Sequence, residues 1–166
     1  MTGAPASWSF GEADAEKMRA VLAGFLRESG ARTALVVDRS GQLVATVGEP
    51  PAFDPTAFAS LTAADFSAND QLARLLGEQE FGTLFHQGER ESMYLADVAR
   101  RVILVVLFDT RTTLGLVKLR ARHAVGALDG IFTAMFERDG AGGPRRGMET
   151  EFVGEAESEI DKLFGA

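Results

Sequence analysis

The side chains of this chain that could do chemistry are few and scattered. Its two histidines, His86 and His123, fall on different predicted elements and show no HExxH or comparable ligand spacing. Structural or surface roles are the ordinary reading of both. The sequence has no cysteine, which removes thiolate nucleophiles, cysteine zinc sites, iron–sulfur clusters and disulfides together. Serines occur without a GxSxG elbow, and no GxxxxGK[ST] or GxGxxG loop follows a strand. The carboxylate pairs Glu78/Glu80 and Glu89/Glu91 could in principle do acid–base work, but they sit at helix ends and turns, where solvated charge is commoner. No catalytic residue, metal or cofactor is expected.

Arginines and small residues carry the remaining signal. Arg111, Lys118 and Arg122 share a face of the last predicted helix and its approach, with Arg120 nearby. That is either a solvated face or an electrostatic contact for an acidic protein surface. The second predicted helix is more unusual. Placed at 100° steps, Phe58, Leu61, Leu72 and Leu76 gather on one side with Thr62 at the flank, which predicts the core stripe. Ala57, Ser60, Ala64, Ser67, Ala68 and Gln71 gather on the other, all uncharged. Small residues at this spacing let another backbone come close, so the face suits a partner helix or a second copy of the chain. The alternative is a helix buried on both sides within one monomer. Asp65 and Asn69 project toward the core side and, if buried, need hydrogen-bond partners.

The elements that must position these residues follow from periodicity. Glu12 to Glu28 predicts a first helix with Gly30 as its C-cap, and Thr33–Asp38 and Leu43–Val47 a β-hairpin turning through Asp38-Arg39-Ser40-Gly41. Pro55 to Leu76 predicts the second helix, with Asp54 as N-cap and Pro55 as its first residue. Phe81–Gln87, Ser92–Ala96 and Arg101–Phe108 predict an antiparallel meander whose last, wholly apolar strand belongs mid-sheet. Leu114 to Phe136 predicts a third helix with a core face of Leu114, Val117, Ala121, Val125, Leu128, Phe132 and Met135. The fold class is therefore α/β (α+β), a five-stranded antiparallel sheet of mixed order flanked by three helices, in the order α-β-β-α-β-β-β-α.

Composition bounds the rest. The chain of 166 residues is 46% hydrophobic and 25% charged, the balance of a globular domain. Its net charge of −7 argues against nucleic acid as a partner. Six acids between Glu149 and Asp161 stand against Lys162, so much of the charge lies in the C-terminal segment. The expected organisation is an N-terminal arm at 1–11, a domain at 12–138, a glycine-rich linker at 139–154 and a short amphipathic helix at 155–166 showing Ile160, Leu163 and Phe164. No signal peptide or membrane span is expected, and the address is cytoplasmic by default.

The order of elements and four strings resemble the roadblock/dynein-light-chain superfamily, and within it the bacterial MglB family that regulates the Ras-like GTPase MglA. The strings are VVDRSGQLVATVG at 36–48, SLTAADFSANDQLARLLGE at 60–78, FHQGERESMYL at 85–95 and VILVVLFDTRTTLGLVKLR at 102–120. The resemblance spans about 12–136, and SEIDKLF at 158–164 is similar to the family's C-terminal helix. It implies a roadblock-type fold and a homodimer whose sheets join and whose second helices pair to receive one GTPase. It also implies activation of that GTPase without a donated arginine, by repositioning the GTPase's own catalytic residues. The implied partner-binding residues are Ala64, Ser67, Ala68 and Gln71, with Lys118 and Arg122 as additions, and Ile160, Leu163 and Phe164 as a docking helix. Where the family has Gly-Asn, this chain has Ala64-Asp65. The family's association is with cell polarity and gliding motility, with polar placement through partners. The alternative function on the same fold is a scaffold that assembles a complex without changing GTP hydrolysis.

Overall fold

The computed structural model describes residues 11–141. The expected C-terminal helix, with Ile160, Leu163 and Phe164, lies outside the described residues. Eight elements follow in the order α1 (Glu12–Ser29), β1 (Thr33–Asp38), β2 (Leu43–Gly48), α2 (Pro55–Leu75), β3 (Thr83–Gln87), β4 (Ser92–Val98), β5 (Val102–Phe108) and α3 (Leu114–Ala141).

The strands form one sheet in the order β2-β1-β5-β4-β3, and every neighbouring pair is antiparallel. The apolar run of β5 sits in the middle, with Leu104 opposite Val36 on one side and Val105 opposite Leu95 on the other. Side chains alternate across a strand, so each central strand feeds two layers. Leu35, Val37, Leu95, Ile103 and Val105 pack with Ala59, Ala63 and Phe66 of α2. The opposite face presents Ala34, Val36, Tyr94, Leu104 and Val106, all buried, as are Met18, Leu22 and Phe25 of α1 and Val117, Ala121 and Leu128 of α3. The hydroxyl of Thr112 ties the approach to α3 to the end of α1 by donating to Ser29 O at 2.5 Å.

Local chemistry sets the element ends. Gly30 adopts φ 73° and its N–H returns to Leu26 O, closing α1. Asp54 caps α2 by accepting from Thr56 N at 3.0 Å, with Pro55 behind it. Phe53 and Phe58, whose rings lie 4.6 Å apart, flank that cap as a hydrophobic staple and fix the angle at which the chain enters α2.

β3 begins at Thr83 rather than the expected Phe81, and two further boundaries differ from expectation with more consequence. The β4–β5 turn is tighter because the strands run on to Val98 and resume at Val102, leaving Ala99 and Arg100 at φ 55° and 57°. Such a turn follows the twist of the hairpin but costs a non-glycine residue about 1–2 kcal/mol at each left-handed position. Asp97 offsets part of that cost by accepting from Arg100 N at 3.2 Å. The third helix continues to Ala141, three residues into the stretch expected as linker. By compactness the chain divides into Met1–Thr133 and Ala134–Ala166. The described part of the second unit is the end of α3. No helix among the described residues is long and apolar enough to cross a membrane.

Candidate functional site

The surface with the least ordinary chemistry is the outer face of α2. The residues that α2 buries are Ala59, Thr62, Ala63, Phe66, Asn69 and Ala73. This corrects the expected core stripe: Leu61, Leu72 and Leu76 point to solvent, at 71%, 57% and 75% exposure, and Leu75 at 83%. The helix can lie close on the sheet because half of its buried residues are alanines, and its leucines are left outside. Of its three charged residues, Asp65 and Asp70 are engaged by neighbouring elements, leaving Arg74. A solvated helix of this length ordinarily carries charges across its outer face.

That outer face has two flanks. Asp65 lies on the first, with its Oδ2 2.6 Å from His86 Nε2 on β3. Asn69 donates from Nδ2 to Phe81 O at 3.3 Å, so both polar residues expected on the core side have found partners. Helical spacing places Leu61 and Leu72 beside Asp65, above β3. That strand is outermost, paired with β4 on one edge only among the described residues. Unpaired strand edges are templates for pairing with another chain.

The second flank carries Ser60, Ala64, Ser67 and Gln71, all exposed. It borders the β1–β2 turn, where Gly41 runs so close that an added Cβ would stand 3.3 Å from Ser60 Cα. From this turn Arg39 reaches under α2. Its Nη1 donates to Asp70 Oδ2 at 2.6 Å, its Nη2 donates to Asp97 Oδ1 at the end of β4, and its Cζ lies 5.1 Å from the centre of the Phe66 ring. Burial alone would lower the Arg39 pKa, but the hydrogen bonds and charges of Asp97 and Asp70 outweigh it and hold the pKa above the usual range.

Of the residues expected to bind a partner, Ala64, Ser67, Ala68 and Gln71 therefore share one exposed surface. Lys118 and Arg122 are also exposed, but on α3. Arg122 bears electrostatically on Tyr94, which points to the face of β4 away from α2. The structure does not bring these two basic residues onto the α2 surface. Arg111 is held by Asp109 at 3.0 Å and Glu49 at 3.3 Å, and Arg120 faces Glu28 at 3.7 Å. No group of three or more metal-ligating side chains forms among the described residues.

The sequence reading missed the Arg39–Asp70–Asp97 cluster and the Asp65–His86 pair. Both join residues far apart in the chain, 31, 58 and 21 positions, and no local pattern signals them. The one available hint was Asp65 and Asn69 among apolar neighbours.

The sequence profile of the Roadblock/LC7 domain matches residues 17–108. Among solved structures, Myxococcus xanthus MglB is 42% identical, with a TM-score of 0.69, covering 71% of this chain and 96% of that one. The gliding protein MglB of Thermus thermophilus is 38% identical, with a TM-score of 0.71 and coverages of 75% and 95%. An MglB described with a tetrameric arrangement is 36% identical, with a TM-score of 0.73 and coverages of 78% and 97%. No curated protein matches the chain.

Proposed function

The chain belongs to the Roadblock/LC7 domain family, and from that premise we propose that it is a homodimeric regulator of a small Ras-like GTPase of the MglA type. In this reading it stimulates GTP hydrolysis by repositioning the GTPase's own catalytic residues, in the setting of cell polarity or gliding motility.

The observation that carries the reading is the outer face of α2, whose charges are only Arg74 and the His86-paired Asp65, and which lies beside the open edge of β3. Four exposed leucines, three on the helix and Leu76 at its C-cap, are costly to leave in water, since burying each is worth about 1.5–3 kcal/mol. A second copy meeting the first along β3 and the leucine flank would cover them and extend the sheet, as an isologous contact does. The description of one relative as tetrameric supports self-association. The small flank of Ala64, Ser67, Ala68 and Gln71 then remains for the GTPase. Its four side chains include no acid–base pair and no arginine, and the Ser67 hydroxyl has no base beside it among the described residues, which suits a regulator that works by fixing geometry; Arg74 lies one turn on from Gln71. The C-terminal residues Ile160, Leu163 and Phe164 belong to this proposal as a second docking element for the same GTPase.

Titration against an MglA-type GTPase in its GTP- and GDP-loaded forms tests the partner. Preferential binding of the GTP form, lost on Ala68→Arg, is expected. Equal binding with no change in hydrolysis would favour the scaffold, and absence of binding would remove the GTPase from the account.

A further inference from the structure

We propose that Arg39 is a positioning residue that sets the roll of α2 on the sheet, and so the register of its contact surface. The inference rests on the reading that α2 is where a second copy binds. The inner face of α2 explains why such a residue is needed. Ala59 and Ala63 pack on the sheet, Ala73 is buried as well, and Phe66 is the only fully buried large side chain of the helix. Alanine contacts leave a helix free to turn about its axis, because a methyl group has no length with which to key into a neighbour. A roll of about 20° would carry side-chain tips about 2 Å sideways at a helix radius of about 5–6 Å. Displacements of that size defeat close-packed contacts.

Beyond the single key of Phe66, polar ties hold the orientation, and they fall on opposite sides of the helix. On the β3 side are Asp65 with His86 and Asn69 with Phe81 O. On the other side the tie is Arg39, whose planar guanidinium joins α2 and β4 to the β1–β2 turn. Its two terminal nitrogens hold Asp70 of α2 and Asp97 of β4, while its backbone N–H donates to Arg101 O at 3.3 Å. The side chains of Asp70 and Asp97 are 16% and 14% exposed, so the pairs are largely shielded from competing water. A guanidinium has the fork geometry to hold two carboxylates at once, which an ammonium on a flexible stem does not. Phe66, under the guanidinium, fixes the plane of the fork. Without Arg39, the polar ties of α2 would lie on the β3 side alone, leaving Phe66 and the contact of Ser60 with Gly41 to resist a pivot there.

The test uses the full chain with Arg39→Met, Arg39→Lys and Asp70→Asn. Circular dichroism establishes that each is folded at 25 °C, sedimentation equilibrium gives self-association, and hydrogen exchange compares α2 with β5. Arg39→Met should weaken self-association by about tenfold or more and lose protection in α2 with β5 unchanged. Arg39→Lys should fall between, and Asp70→Asn, which keeps a hydrogen-bond acceptor, should retain most of the association. Should Arg39→Met fail to fold, Arg39→Lys carries the comparison. Unchanged association in a folded variant, or protection lost equally from α2 and β5, would overturn the proposal and leave Arg39 a general stabiliser. A monomeric parent chain would overturn the self-association reading instead, and selective exchange in α2 would then still decide whether Arg39 sets the helix.

Discussion

His86 Nε2 on β3 stands 2.6 Å from Asp65 Oδ2 on α2, so the outermost strand and the exposed helix are joined across the surface that the leucines of α2 overlook. Strand edge and leucine flank are thereby presented together.

Leu72→Glu should consequently break self-association without unfolding the chain. Leu72 is 57% exposed, so it contributes little to the monomer's core, while a charge buried in the contact costs several kcal/mol unless paired. Sedimentation equilibrium should show association weakened by about a hundredfold or more, with a melting temperature at low concentration within a few degrees of the parent. An unchanged association would place the contact elsewhere.

The contrast between two glycines predicts stability. Gly48 has φ 105°, and a Cβ there would lie 2.3 Å from Arg32 O and 2.8 Å from Leu26 Cδ1. Gly77 has φ 85° with nothing within 4 Å. Both alanine substitutions incur the left-handed cost of about 1–2 kcal/mol, and only Gly48→Ala adds about 1–3 kcal/mol of overpacking. Denaturant unfolding should therefore rank Gly48→Ala well below Gly77→Ala.

These comparisons also show what could be read in advance. The N-cap of α2, the glycine end of α1 and the central place of β5 were legible because each rests on neighbouring residues: Asp54-Pro55, Gly30, and an apolar run needing cover on both faces. The buried side of α2 was not. A helical wheel assigns leucines to the interior and alanines outside, whereas here the alanines let the helix lie low and Leu61, Leu72 and Leu76 face outward. The exposed positions of Ala64, Ser67, Ala68 and Gln71 were legible, but the Arg39 cluster that borders them was hidden by chain separation.

Alkaline stability should depend on Tyr94. Burial raises its pKa above the usual tyrosine range near 10, against the opposing effects of Thr83 and Arg122. A raised folded pKa gives stability that is fully present below the unfolded value and is lost as pH rises through the folded one. Thermal melts between pH 9 and 12 should fall less steeply for Tyr94→Phe than for the parent. Parallel curves would assign the alkaline loss to other groups.

Arginine variants separate repositioning from a donated finger. Arg111 and Arg120 already face carboxylates, and Arg122 is exposed on α3, away from the α2 surface. Alanine at each should change the stimulated rate by less than about tenfold, whereas loss of a true finger costs on the order of 10³ to 10⁵. Stopped-flow phosphate release with binding measured in parallel gives the comparison.

The most direct test is single-turnover GTP hydrolysis by an MglA-type GTPase with and without this chain at saturating concentration. The account predicts a rate raised well above the GTPase's own, retained by alanine at Arg111, Arg120 or Arg122 and abolished by Ala68→Arg. A GTPase that binds the chain yet hydrolyses GTP at its intrinsic rate would contradict it.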